Sequence, residues 1–524
     1  MRTGFARVAL GAALMLAGAP ATAQISTAAV SGGTVAGTVD RQLGIFKGIP
    51  FAAPPTGPLR WRAPQPAAAW RGSRAATAFA PGCLQDAGMA RQMGDSGALS
   101  EDCLYLNVWT PAKAASDKRP VIVWIYGGGF NGGTTAVPLY DGANLARRGI
   151  VFVSIAYRVG PFGFLATPAL SRESGRGSGA YGLEDQIAGL QWVQANIARF
   201  GGDPKRVTLL GHSAGAFAVS MLAASPRARG LFHGVIAESG ANFAPARDSG
   251  WAGSNFDTLR FAETKGQAFL AGLGAATLAQ ARALPAAKVE AAQRLPGAPR
   301  FWPPLDGYVL PANQQTLWAE RRFNDTPVIV GSNSDEGAIS AKQDMVPATF
   351  ERQVREGYGA RADAILAAYP HAAPADAVRA DKQLTRDTSF GWPAYAWAGL
   401  QSVHGRNPAY VYYFDRPTPQ APDGSGHGAE VGLVFGNLVR AGRPAPTDED
   451  RALSDRMQLY WINFAATGDP NGAGLPRWPA FTSAAPIVMR FGADPGAAPV
   501  PNLAKLKALD DYYVWRGGNA AASR

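Results

Sequence analysis

Between about residue 100 and residue 415 the chain alternates two kinds of apolar pattern. Short, almost unbroken apolar runs recur at Leu104–Trp109, Val121–Tyr126, Val151–Tyr157, Val207–Leu210, Gly234–Ala237, Pro327–Gly331 and Ala409–Phe414. Runs blocked in this way predict strands buried on both faces. Between them apolar residues return at helical spacing, as with Leu183, Ile187, Leu190, Val193 and Ile197, a helix closed by Gly201-Gly202-Asp203-Pro204. Strands alternating with helices predict a mostly parallel sheet covered on both faces. Ahead of this region, Gly33–Thr38 and Gly44–Phe51 predict a short antiparallel pair, and Ala53-Pro54-Pro55-Thr56-Gly57-Pro58 an irregular loop. Two insertions rich in Ala, Leu and Arg, roughly 245–320 and 340–405, predict helices over one edge of the sheet. There is no linker and no internal repeat, so residues 24–516 read as a single domain, with a Gly/Ala/Ser-rich tail (517–524) expected to fray.

The first 23 residues change the picture of where this domain works. Arg2 and Arg7, an apolar run from Val8 to Ala19 and the small residues of Ala21-Thr22-Ala23 make a secretory signal peptide, too short in its apolar part to span a bilayer. No later apolar run is long enough either, so the mature chain is expected to be exported, to the periplasm or medium, with no membrane segment. Losing Arg2 and Arg7 lowers the formal charge of +11 to +9. The arginines are spread out rather than clustered with aromatics, which argues against nucleic acid as a partner. Cys83 and Cys103 are the two cysteines. In an oxidising compartment they are expected to form a disulfide, and neither has a nearby histidine to suggest a metal.

The strand at Val207–Leu210 runs into Gly211-His212-Ser213-Ala214-Gly215, with small and apolar residues continuing to about Ala224. Gly-x-Ser-x-Gly between strand and helix is a sharp turn that projects the serine, making Ser213 a candidate nucleophile. Because parallel sheets carry function at the C-terminal ends of strands, the five histidines can be sorted. His212 diverges from Ser213 on the turn, His233 and His404 precede strands, and His371 sits between helices. His427, in Gly424-Ser425-Gly426-His427-Gly428, follows a strand and is the candidate base. Asp335 and Glu336, after the strand at Pro327–Gly331, are both available as its acid partner. The glycines of Tyr126-Gly127-Gly128-Gly129-Phe130, with the N–H of Ala214, can supply an oxyanion hole worth about 3–4 kcal/mol per donor. The same run fits a Gly-x-Gly-x-x-Gly dinucleotide fingerprint through Asn131-Gly132. Gly132–Pro138 is a poor helix, however, and the next strand ends at Tyr157-Arg158 rather than an acid, which leaves only a remote NADP-dependent oxidoreductase reading through Arg158.

Taken together these stretches resemble the type-B carboxylesterase family, which includes cholinesterases and bacterial p-nitrobenzyl esterases. The resemblance also runs through Phe46–Pro55, Glu101–Val108, Asn196–Pro204, Asp335-Glu336-Gly337 and Gly426-His427-Gly428. It implies an α/β-hydrolase fold, a carboxylic ester hydrolase acting through an acyl-enzyme, a small-molecule ester as substrate, and no metal or cofactor. It makes Glu336 the catalytic acid beside Ser213 and His427, makes Gly128, Gly129 and Ala214 the oxyanion amides, and pairs Cys83 with Cys103. The family also holds catalytically dead binding modules, which lose a triad member; all three members stand here. The chain departs from its relatives at His212, where they usually carry Glu, and in the loop 84–102, which has no aromatic to receive choline. Phe301 and Trp302 are candidates for the acyl pocket.

Overall fold

The computed structural model describes residues 24–522 apart from Ser96, 247–255, Ala341, Gln420, Asp423, Arg440, Ala441 and Arg443. The signal peptide expected at 1–23 lies outside the described residues. An eleven-stranded sheet forms the core, made of β1 (Thr38–Asp40), β2 (Leu43–Pro50), β3 (Tyr105–Thr110), β4 (Arg119–Ile125), β5 (Val151–Ile155), β6 (Gly202–His212), β7 (Gly234–Glu238), β8 (Val328–Asn333), β9 (Ala409–Phe414), β10 (Ile487–Phe491) and β11 (Gly496–Pro499). The spatial order is β11-β10-β9-β8-β7-β6-β4-β5-β3-β2-β1. From β5 to β10 every neighbouring pair is parallel, and the strands outside that block pair antiparallel. All but one of the blocked apolar runs are strands of the parallel block, Leu104–Trp109 falling on antiparallel β3, and Val121–Ile125, Val151–Ile155 and Gly234–Glu238 are buried throughout. That follows from helices lying on both faces.

Helix α1 (Tyr181–Asn196) ends in a tight turn, with Gly201 in the left-handed region, as its glycines predict. Helix α2 (Ala214–Ala224) leaves β6 and is buried along its whole length. The insertions are helical: Leu259–Gly272, Leu278–Ala283 and Ala286–Ala292 in the first, and Pro347–Tyr358, Ala362–Ala368, Pro374–Arg386 and Trp392–His404 in the second. No helix among the described residues is long and apolar enough to cross a membrane.

One expectation is corrected. The predicted pairing of Gly33–Thr38 with Gly44–Phe51 divides at Gly37. Only β1 pairs with β2, while Gly33–Ala36 joins Thr27–Val30 and Ser73–Ala75 in a separate three-stranded sheet. A Cβ at Gly37 would stand 2.3 Å from the Ile45 carbonyl oxygen, so the chain bends where no side chain fits. The helix Leu503–Ala522 reaches into the tail. Buried Leu506, Leu509, Tyr512 and Tyr513 anchor that helix, and the alanines at its end are strong helix formers.

Cys83 and Cys103 form a disulfide with an S–S distance of 2.01 Å, closing a loop over a sequence separation of 20. Constraining the unfolded chain over such a loop stabilises the fold by about 3 kcal/mol. A Cys83→Ala/Cys103→Ala double variant is therefore expected to lose about 3 kcal/mol in urea unfolding, and an unchanged midpoint would contradict the estimate.

Candidate functional site

Three strand ends and one loop meet at the C-terminal edge of the parallel block. Ser213 takes φ 56° and ψ −126° between β6 and α2. Non-glycine residues rarely adopt such values, and they persist only where surrounding packing enforces them. The enforcement is steric. A Cβ at Gly215 would lie 2.0 Å from the Ile125 carbonyl oxygen, and one at Gly211 would lie 2.4 Å from the Gly215 carbonyl. Only glycine lets β4, β6 and α2 approach this closely. Gly127 stands directly beside the serine, since a Cβ there would be 2.9 Å from the Ser213 Cβ. The next two residues, Gly128 and Gly129, take φ 123° and 59°. Their N–H groups and that of Ala214 have no hydrogen-bond acceptor among the described residues. Ala214 opens α2, where a free N–H is expected.

The two neighbouring carboxylates at the end of β8 have different surroundings. Glu336, fully buried, accepts from Asn333 N–H at 2.9 Å through Oε1 and meets His427 Nδ1 at 2.5 Å through Oε2. Asp335 instead pairs with Lys382 at 2.9 Å. Burial pulls the His427 imidazole toward neutrality, but the charge and hydrogen bond of Glu336 and the charge of Glu430 outweigh it, so its pKa is raised above 6.5. With Nδ1 engaged, Nε2 on the opposite side of the ring is free to serve Ser213. Among the described residues no hydrogen bond joins Ser213 Oγ to His427, a contact that in hydrolases commonly tightens only when substrate binds.

Behind the base lies a group of residues that periodicity did not single out. Asn333 Nδ2 donates to the Gly426 carbonyl at 2.8 Å and to Glu430 Oε2 at 2.5 Å, so a single side chain ties the acid-bearing strand end to the histidine loop. Glu430 also accepts from Ser239 Oγ at 3.2 Å. Glu238, at the end of β7, is fully buried and accepts from Trp461 Nε1 at 2.8 Å. Burial and the Glu430 charge push the Glu238 carboxyl well up, while burial and Glu336 push Glu430 up to about 7. Two buried carboxylates whose charges oppose one another do not both ionise readily. The one sequence signal was an acid ending a blocked apolar strand at Glu238.

His212 is 8 % exposed, and its ring centroid lies 4.6 Å from that of His427. It has no carboxylate partner, and burial followed by the neighbouring His427 holds its pKa well below 6.5. It therefore remains neutral. Phe390, on the second insertion, lies 5.0 Å from His427 between ring centroids. Trp302 is half-buried against Phe130 at 5.5 Å, while Phe301 turns into the core against Phe269 at 5.1 Å. Arg158 is not available to a nucleotide phosphate, because its guanidinium grips Asp185 at 2.8 and 2.7 Å in a buried pair. Gly132–Val137 forms no helix, which removes the rest of the dinucleotide reading. Among the described residues no three His, Cys, Asp or Glu side chains form a metal-binding group.

A strained serine between strand and helix at the edge of a parallel sheet defines an α/β-hydrolase. The Carboxylesterase family profile matches residues 19–507, and the chain belongs to that family. It is 37 % identical over 478 residues to the fumonisin B1 esterase of Sphingopyxis macrogoltabida, covering 88 % of this chain and 85 % of that protein. It is 34 % identical over 472 residues to the para-nitrobenzyl esterase of Bacillus subtilis (strain 168), covering 86 % and 91 % respectively. A solved PNB esterase structure superposes with a TM-score of 0.82 at 32 % identity, over 92 % of this chain and 99 % of that one. The protein is accordingly a carboxylic ester hydrolase.

The two facing imidazoles should titrate apart. Histidine-ring NMR is expected to show His427 protonating above pH 6.5 and His212 staying neutral well below it. A His212 signal titrating at or above that of His427 would contradict this environment.

Proposed function

We propose that Ser213, His427 and Glu336 hydrolyse carboxylic esters through a covalent acyl-enzyme, with the amides of Gly128, Gly129 and Ala214 as the oxyanion hole. The observation that carries this reading is the buried Glu336–His427 bond at the same sheet edge as the strained Ser213. Ser213 Oγ attacks the ester carbonyl carbon while His427 Nε2 takes its proton. The carbonyl oxygen becomes an oxyanion held by the three N–H groups, and Glu336 stabilises the imidazolium. Collapse breaks the carbon–oxygen bond to the alcohol, which leaves with the proton from His427. Water then attacks the acyl-enzyme by the same route and releases the acid. Trp302 and Phe390, both from the insertions, stand beside the site, Trp302 against Phe130 and Phe390 against His427. The chain is a single hydrolase domain exported after removal of residues 1–23, a reading its disulfide supports.

The similarity to a fumonisin B1 esterase and to a para-nitrobenzyl esterase selects the substrates to test. We measure kcat/KM on nitrophenyl esters of graded acyl length and on fumonisin B1. Ser213→Ala is expected to lose nearly all turnover on every ester; retained activity would sink the mechanism. The base works in its neutral form, so kcat/KM should rise with pH through the raised His427 pKa, with a midpoint above 6.5. Glu336→Gln removes the charge that raises that pKa and leaves burial, which lowers it. The midpoint should therefore move down while kcat falls by about 10⁴, as when a triad carboxylate elsewhere becomes an amide.

A further inference from the structure

Gln85 lies outside the reacting groups, two residues beyond Cys83, and is 1 % exposed. Its carboxamide meets a single backbone residue from both sides. Gly133 N–H donates to Oε1 at 2.7 Å, and Nε2 donates to the Gly133 carbonyl at 2.8 Å. Nε2 also donates to the Cys83 carbonyl at 2.9 Å. A side-chain amide paired with one residue's N–H and C=O acts as a missing strand partner. Without it the buried polar groups of Gly133 would lose those bonds.

Gly133 is the far end of the glycine loop beside Ser213. A Cβ there would lie 2.3 Å from the Gly127 carbonyl oxygen, and a Cβ at Gly128 would lie 2.3 Å from the Gly132 carbonyl oxygen. The loop 127–133 thus doubles back with no side chain between its two limbs. The Gly128 carbonyl accepts from both Asn131 and Gly132 N–H at 3.1 Å, closing the fold. Gly128 and Gly129 stand on Gly132 and Gly133, so whatever fastens Gly133 sets the height of the amides above it. Oxyanion donors act through preorganisation, and their contribution falls steeply with displacement.

We infer that Gln85 is a positioning residue for the oxyanion site, and that the Cys83–Cys103 disulfide, by anchoring Gln85, supports kcat as well as stability. This rests on the hydrolytic reading of Ser213 and the glycine amides given above. Asn131, whose Nδ2 donates to the Gly129 carbonyl at 2.6 Å, fastens the near limb, while Gln85 fastens the far one.

The test compares Gln85→Met, which keeps length and apolar packing but loses all three bonds, with Gln85→Glu, which keeps the acceptor for Gly133 N–H. Asp86→Ala is the control. Asp86 accepts from Met89 N–H at 2.7 Å and caps the helix Ala87–Gln92, so its loss loosens the same disulfide loop without touching Gly133. Active sites are counted with a phosphonate that labels Ser213, so a partly folded preparation does not distort kcat. The oxyanion hole is read with a trifluoromethyl ketone: Ser213 Oγ adds to its carbonyl carbon, the proton passes to His427, and the carbonyl oxygen becomes the bound oxyanion. For Gln85→Met, kcat per titrated site should fall about tenfold or more with KM within about twofold, and the ketone Ki should rise in proportion to the loss in kcat/KM. Gln85→Glu should fall between Gln85→Met and wild type, and decides the matter if Gln85→Met does not fold. Asp86→Ala should lower the urea midpoint yet keep kcat per site within about twofold. Wild-type kcat and ketone Ki per site in the foldable Gln85 variants, with stability alone reduced, would overturn the inference. Hydrolysis persisting in Ser213→Ala would overturn the hydrolytic reading instead, so the two failures are distinguishable.

Discussion

The structure depends on backbone meeting backbone around Ser213. Helix α2 starts so close to the end of β4 that the Ile125 carbonyl excludes any Cβ at position 215, and β6 leaves no room for one at 211. This crowding forces the serine into a backbone conformation it would not choose, at a cost on the order of 1–3 kcal/mol. The parallel block on either side repays that cost through its buried apolar strands. Because the strain comes from main-chain contacts, it does not relax when side chains move, and Ser213 is held in place before any substrate arrives.

The same edge collects buried negative charge on one side of the base. Glu336 faces His427 directly, while Glu430 and Glu238 stand behind it with their carboxyl pKa values raised by burial and by neighbouring carboxylates. One carboxylate is thereby bonded to the imidazole, and two more lie buried behind it. On the other side lies the ring of His212, held neutral by burial and by the neighbouring His427. The field across His427 is thus lopsided, with the carboxylates on the Glu336 side.

Much of this was legible in the chain because local pattern and tertiary role coincide there. Blocked apolar runs can only be strands sandwiched between layers, and Gly211, Ser213 and Gly215 have a spacing that only a sharp turn uses. The position of His427 followed from its place after a strand. What the pattern could not reveal were contacts between residues distant in sequence that share no period. Asn333 reaches Gly426 and Glu430 across about ninety residues, and Gln85 reaches Gly133 from another loop. The pairing of Gly33–Ala36 was misread because a bend at one glycine changes which face a short strand presents. The choice between Asp335 and Glu336 needed the family resemblance, since adjacent carboxylates look equivalent until one is seen to be buried and the other paired with Lys382.

The two insertions are attached to the site in different ways, which sets how readily each can be exchanged. The first meets the catalytic edge through the packing of Trp302 on Phe130 and a 3.4 Å bond from Phe301 N–H to Asn131. The second is built into the acid loop itself: a Cβ at Gly337 would lie 1.9 Å from the carbonyl oxygen of Lys382, on the helix Pro374–Arg386. Grafting a relative's first insertion onto this scaffold would remodel one wall and leave the Glu336–His427 bond standing. Grafting the second would carry the seat of Glu336 with it, so recognition on that side can change only together with the acid it surrounds.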